Sequence, residues 1–305
     1  HEGALGPEKQ DDAQRDHHAR DQSAYPGHPP DAVVWPTDTV QVSAIARYAN
    51  EHRIPLVGWG AGTGLEGNAI PVQGGIVVNF SRMDKIIAVH IEDFQVTAQP
   101  GLRYKDMNQQ LARYGLFFPP DPGANASIGG MVANNAAGTR TVKYGATRDN
   151  VLALEVVLAS GEVIRTGSRS IKQSAGYDLT HLFTGSEGTL GLITEATLRL
   201  YPVLEHFSAV TAAFPTMQAA AEAVFGIIGS GLNPAALEIL DQSTIDALKQ
   251  HADLDVVAAH NLFIEFSGAS EAMVAEELKL AEQVCMDCGC VDFRAGTGRA
   301  MHKKL

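Results

Sequence analysis

Three glycine-rich stretches constrain this 305-residue chain more than any other feature. The first, Gly58-Trp-Gly-Ala-Gly-Thr-Gly-Leu-Glu-Gly67, places five glycines in ten residues. The second runs from Pro119 to Gly138 and carries no charge between Ala124 and Gly138. The third, Ser174 to Ile193, sets Gly185, Gly188 and Gly191 beside Ser186 and Glu187. Such backbone buries little apolar area. It suits close approach to a ligand, because glycine reaches conformations closed to other residues. In the first stretch successive N–H groups can converge on an anion such as a diphosphate. In the second, Ser127 to Asn135 reads as a short helix with Ser127 as N-cap and Gly138 past its end. Its N-terminus is expected to offer free N–H groups and the positive end of the helix dipole. Taken singly, the first stretch also reads as a tight turn and the second as a surface loop. Taken together they suggest one ligand of dinucleotide length threaded between them.

Two familiar phosphate loops do not fit. Gly60-Ala-Gly62 follows a strand, yet the next ordered piece, Ile76–Phe80, is a strand-type run and not the helix a Rossmann loop must open. No Gly-Lys-Ser/Thr occurs, which removes the Walker loop. The net charge of −12 argues against a nucleic-acid footprint or a basic membrane patch. No apolar run reaches the roughly 20 residues of a membrane span. The chain starts at His1 with no signal peptide visible, and a removed targeting segment stays open. Cys285, Cys288 and Cys290 lie within six residues, which is no disulfide framework and points to a reducing compartment. With no fourth ligand nearby they read as a turn and not a zinc site. Glu66 and Asp149 read as ion-pair partners of Arg140 or Arg148. His181, although inside the third stretch, reads as a solvated loop histidine.

Residues 1–24 read as a polar lead-in, with His17 and His18 at the surface. A first domain is expected over 25–205. It opens with a strand at Asp31–Pro36 and a helix capped by Thr37. Strands follow at 54–58, 76–80, 86–90 and 94–98, then a helix over 104–114. A hairpin turns at Ser160-Gly161, and a strand closes the domain over 190–200. Residues 206–305 change rhythm to βαββαβ with one small extra helix, the order of a ferredoxin-like sheet. Arg299 to Leu305 reads as a helix entered in mid-course, so this second domain is expected to be incomplete.

The three loops in this order, with Pro30–Pro36, Asp121-Pro-Gly123 and Tyr144-Gly-Ala-Thr-Arg-Asp-Asn-Val151, resemble the PCMH-type FAD-binding domain of the vanillyl-alcohol oxidase superfamily. Within it the pattern is most similar to the D-lactate dehydrogenase (cytochrome) and glycolate oxidase flavin-subunit families. The resemblance spans about residues 20–305 and implies an α+β fold. Two α+β subdomains would form the FAD-binding domain, followed by the start of a ferredoxin-like cap. It implies that Gly60, Ala61, Gly62, Thr63, Gly64 and Leu65 hold the FAD diphosphate. Pro122, Gly123, Ser127, Ile128, Gly129, Gly130, Asn134 and Gly138 would line the diphosphate and isoalloxazine. Glu187, Gly191 and Ile193 would sit by the adenosine end. Some relatives attach FAD through a histidine of the first loop. Gly58–Gly67 has none, so non-covalent FAD is expected.

The implied activity is oxidation of a D-2-hydroxy acid, D-lactate or glycolate, by hydride transfer to the flavin, with electrons passed to cytochrome c or quinone. The implied catalytic Arg, and the His and Glu ligands of a divalent metal such as zinc, would lie beyond Leu305. No catalytic residue is therefore assigned within the chain. A homodimer or a complex with other oxidase subunits is the implied assembly. The compartment would be the cytoplasm or inner-membrane periphery in a bacterium and the mitochondrion in a eukaryote. Two alternatives stand beside this reading: a non-catalytic FAD-binding module, and a D-2-hydroxyglutarate dehydrogenase.

Overall fold

A computed structural model describes residues 12–251 and 255–297, and its chain divides into two compact units. The first comprises residues up to 138 together with 146–202; the second takes 139–145 and everything from 203 onward. The helix expected over Arg299–Leu305 and the first eleven residues of the lead-in lie outside the described residues.

The first unit opens with α1 (Asp12–His17) and β1 (Ala32–Val34). Val42, Ile45, Ala46 and Ala49 recur at helical spacing, and α2 (Thr39–His52) buries that stripe. The cap falls on Asp38, not Thr37, because the Asp38 carboxylate accepts the Gln41 N–H at 2.8 Å. The helix stops at Arg53, which takes a left-handed conformation (φ 53°). Asp38→Ala should cost about 1 kcal/mol and lower the melting temperature by about 2–4 °C, read by thermal denaturation. β2 (Leu56–Trp59) and β1 flank β3 (Ile76–Asn79) in a three-stranded parallel sheet, the order their α2 crossover allows.

A second, antiparallel sheet follows. β4 (Ile86–His90) and β5 (Gln95–Ala98) pair, and α3 (Tyr104–Leu111) ends in a 3₁₀ turn at Tyr114. A short β6 (Leu116–Phe117) leads to α4 (Ile128–Ala133). α5 (Thr141–Tyr144) belongs to the second unit. β7 (Val151–Val157) and β8 (Val163–Gly167) form the hairpin expected at Ser160-Gly161. α6 (Leu179–Phe183) precedes β9 (Leu192–Arg199), and β10 (Tyr201–Pro202) pairs with β6. The five strands run in the order β4-β5-β9-β7-β8. Phe118, Met107, Leu111, Met131, Ile128 and Leu198 fill the core between this sheet and α3 and α4, all under 2 % exposed.

The second unit contains β11 (His206–Phe214), α7 (Met217–Gly229), β12 (Ala236–Leu240), α8 (Gln242–Lys249), β13 (His260–Gly268), α9 (Glu271–Asp287) and β14 (Asp292–Thr297). All pairings are antiparallel in the order β12-β13-β11-β14, with α7 and α9 packed on β11 and β13. Apart from α8 this is the βαββαβ ferredoxin-like arrangement. Lys143 of α5 is held here: its Nζ donates to the Ser267 carbonyl at 3.0 Å and hydroxyl at 3.2 Å. Burial pushes the Lys143 ammonium below its ordinary pKa, against the opposing pull of Glu277. Among the described residues no helix is long and apolar enough to cross a membrane.

Candidate cofactor-binding site

Within the first unit the three small-residue stretches close around one cavity of about 500 Å³. Trp59, the last residue of β2, is 3 % exposed and opens the first loop. Gly62 follows with φ +67°, and a Cβ there would stand 2.6 Å from Trp59 Cζ2. The loop thus folds back over its own tryptophan, which only glycine allows at that position. Gly60 passes so close to the second stretch that a Cβ would lie 2.0 Å from Ser127 Oγ.

Hydrogen bonds fasten the stretches together. Asn68 Nδ2 donates to Asn134 Oδ1 at 2.9 Å, and Asn134 Nδ2 returns the bond at 3.3 Å. The Gly185 and Glu187 N–H groups donate to the Val132 and Ala133 carbonyls at 2.9 and 2.8 Å. Glu187 holds φ 53°, a strained setting for a non-glycine residue that the backbone bond helps to fix.

Most residues singled out from the sequence line the cavity. Gly60, Ala61, Gly62, Thr63, Gly64 and Leu65 do, as do Pro122, Gly123, Ser127, Gly129, Gly130 and Asn134, and then Glu187, Gly191 and Ile193. Two do not. The Ile128 side chain is completely buried in the core of the first unit, and its N–H is spent on the Leu102 carbonyl at 2.8 Å. Gly138 is required for packing, since a Cβ would stand 2.3 Å from the Asp121 carbonyl oxygen.

The expected free N-terminus of the second stretch is corrected as well. Ser127 does cap α4, but the helix has only six residues and its leading donors are consumed. Gly129 donates to Pro100 O at 2.8 Å, Gly130 to Ser127 Oγ at 3.3 Å and Met131 to Ser127 O at 2.8 Å. By contrast the N–H groups of Ala61, Gly62, Thr63, Gly64 and Leu65 find no acceptor among the described residues. Five donors without a protein acceptor, on residues that line a cavity, suit an anion. Among the described residues lining the cavity, Glu187 is the one charged side chain, so no lysine or arginine assists them.

Sequence reasoning missed the N-terminal contribution. Gln22 lines the cavity and its N–H donates to the Gly64 carbonyl at 3.0 Å. Asp21 Oδ2 is buried without a partner, 3.3 Å from where a Gly64 Cβ would stand. His17 is exposed as expected, but His18 is 1 % exposed. Its Nδ1 donates to the Gln14 carbonyl at 2.7 Å, and its Nε2 accepts from Asn79 Nδ2 at 2.7 Å. The Asn79 amide is oriented by its own Oδ1, which accepts the Ser81 N–H at 2.8 Å. Burial pushes the His18 pKa below its ordinary 6.5, with His17 adding to the shift and the Gln14 bond opposing it. No sequence pattern relates Gln14, His18 and Asn79, so this contact had no local signal.

The remaining candidates carry no site. His181 is bound at both nitrogens, by the Asp178 carboxylate and by the Arg148 carbonyl at 3.0 Å, and does not line the cavity. Its side-chain and backbone bonds hold the Asp178 carboxyl below the usual range. Arg148 donates to the Thr184 carbonyl at 3.0 Å and Asp149 accepts from the Ala146 N–H at 2.8 Å, so both serve backbone. Cys285 is fully buried with its thiol pushed up to about 12 by burial, and Cys290 Sγ contacts the Asp292 carbonyl at 3.1 Å. Such thiols are inert. Among the described residues no group of three metal-ligating side chains occurs.

An α+β unit with a cavity walled by three glycine-rich loops, in one chain with a ferredoxin-like unit, defines the class of flavin-linked oxidases with a PCMH-type domain. Comparison with known families agrees: residues 30–167 match the FAD binding domain family, and residues 203–305 match the C-terminal domain of FAD linked oxidases. The chain belongs to this FAD-linked oxidase family. It is 44% identical over 284 residues to a probable mitochondrial D-lactate dehydrogenase of Danio rerio, covering 92% of this chain and 57% of the relative. It is 41% identical to the mitochondrial D-lactate dehydrogenase [cytochrome] of Arabidopsis thaliana, covering 87% of this chain and 46% of that protein. A glycolate oxidase subunit of Bacillus subtilis is also 41% identical, over 92% of this chain and 61% of the subunit. The chain therefore spans about half the length of such relatives. A solved structure of alkyldihydroxyacetonephosphate synthase shares the fold with TM-score 0.79 at 22% identity, covering 97% of this chain and 59% of that one.

Proposed function

We propose that the first unit binds FAD non-covalently and that the protein oxidises a D-2-hydroxy acid, with D-lactate or glycolate as substrate. The observation that carries this reading is the run of N–H groups from Ala61 to Leu65, unspent among the described residues, on a cavity whose described lining holds no cation. A diphosphate fits such a surface, because oriented amides supply the positive field that lysine or arginine would otherwise provide. Ser127, Gly129, Gly130 and Asn134, and then Glu187, Gly191 and Ile193, would contact the remaining parts of the cofactor. The described residues lining the cavity include no histidine, cysteine or tyrosine to form a covalent flavin link. Bound FAD would supply the acceptor for the hydride of the substrate Cα.

The chain's own contribution is to hold that acceptor and shield it. Trp59, Phe80 and Leu192 give the cavity apolar walls that exclude water, and the loop amides fix its charged end. The names of the relatives favour D-lactate or glycolate as substrate, with cytochrome c as electron acceptor and a mitochondrial setting if the source is eukaryotic. The test is anaerobic addition of D-lactate, glycolate and D-2-hydroxyglutarate to the purified full-length protein. Loss of absorbance near about 450 nm with D-lactate or glycolate alone is the expected result. Bleaching by D-2-hydroxyglutarate alone would assign the other dehydrogenase, and a flavin bleached by none of them would leave a binding module.

A further inference from the structure

We infer that His18, held as a neutral imidazole between the Gln14 carbonyl and the Asn79 amide, is a positioning residue for the loop that receives the cofactor phosphates. The inference rests on the FAD reading above and adds a component from outside the three glycine-rich stretches. The His18 ring centroid stands 4.8 Å from that of Trp59, tilted by 58°, and 5.9 Å from that of Trp35, edge to face. Trp59 in turn occupies the space that a side chain at Gly62 would need. Ring contact thus runs from His18 to Trp59, and Trp59 lies against Gly62, the second residue of the Ala61–Leu65 donor run. The same N-terminal segment then crosses the loop, where the Gln22 N–H holds the Gly64 carbonyl. Tyr25 lies against Gly67, its Cδ2 2.8 Å from where a Cβ would stand.

Hydrogen-bond accounting fixes the charge state that this arrangement accepts. Gln14 O can only accept, so His18 Nδ1 carries the proton. The Asn79 oxygen is committed to Ser81, so the amide nitrogen faces Nε2, which must be a bare acceptor. Protonating Nε2 would set N–H against N–H in a buried place and lose that bond. The groups around the ring are His17 on its own helix, Trp59 and Asn79 at the ends of β2 and β3, and Trp35 after β1. The Arg82 guanidinium lies behind Trp35, 6.0 Å from its ring centre. Among the described residues no carboxylate is hydrogen-bonded to the imidazole to offset the added charge.

The test is the FAD dissociation constant of the purified full-length protein between pH 7.5 and 5, read by the fluorescence of released flavin. Wild type should bind about tenfold more weakly once pH falls through the His18 titration below 6.5. His18→Phe keeps the ring against both tryptophans but not the two hydrogen bonds. It should already bind about tenfold more weakly at pH 7.5 and lack the acid step. Asn79→Asp gives the imidazolium an acceptor, so it should also lack the step while retaining flavin at pH 5. A wild-type profile without the step overturns the inference. So does His18→Phe binding as wild type does, or Asn79→Asp keeping the wild-type step. A wild-type protein that takes up no FAD at any pH removes the underlying flavin reading instead.

Discussion

Gly60→Ala is expected to weaken FAD binding about 100-fold, close to 2.7 kcal/mol. The added Cβ would stand 2.0 Å from Ser127 Oγ, closer than packed atoms allow, and 3.2 Å from Ser127 Cβ, a tight contact. Ser127 is 1 % exposed, and its Oγ is the acceptor that caps α4 through the Gly130 N–H. Turning the hydroxyl away would cost the half-buried Gly130 N–H its acceptor, at about 0.5–1.5 kcal/mol. Keeping it in place would push the first loop off the second and displace the unspent N–H groups of Ala61 to Leu65. Either response damages the same wall of the cavity. Gly229→Ala is the matched control, because its Cβ meets nothing within 4 Å and it lies in helix α7 of the other unit. Flavin titration of both variants is the measurement. Wild-type affinity in Gly60→Ala would show that the close pass between the first two stretches has no bearing on the cofactor.

Phe118→Ala should be the most destabilising single change, at about 3–5 kcal/mol. The ring is wholly buried among Met107, Leu111, Met131 and their neighbours. Asn108 clamps its backbone from both sides, accepting its N–H at 2.8 Å and donating to its carbonyl at 3.0 Å. Pro119 and Pro120 follow at once and lead into Pro122 and Gly123 on the cavity. A void at Phe118 therefore loosens the second wall together with the core. Both tryptophans of the chain, Trp35 and Trp59, lie in the first unit, so their fluorescence reports that unit's unfolding in denaturant. The midpoint should fall in Phe118→Ala and stay unchanged in Phe225→Ala, whose ring is 80 % exposed on α7. Equal midpoints for wild type and Phe118→Ala would contradict the placement of that ring.

How legible each part was follows from the range of the interactions that make it. Apolar alternation and helical spacing are local, and the strands at 76–79, 86–90 and 95–98 and the helix α3 stand where those periods place them. The short helices α1, α5 and α6 carry too few residues for a period to register. The N-cap of α2 slipped from Thr37 to Asp38 because both are cap-forming residues and only the backbone entry angle separates them.

By itself the sequence determined that three stretches would leave much of their backbone open to close approach, since glycine recurs in each of them. It also determined the βαββαβ order of the second unit. Only the tertiary structure decided which amides stay free. Segment 100–102 takes the leading donors of α4, whereas nothing among the described residues takes those of Ala61 to Leu65. It likewise decided that Ile128 turns into the core, that Gly138 yields to the Asp121 carbonyl, and that His18 is buried. The physical reason is one of distance along the chain. Hydrogen-bond satisfaction and close packing join residues such as His18 and Asn79, which no local pattern relates.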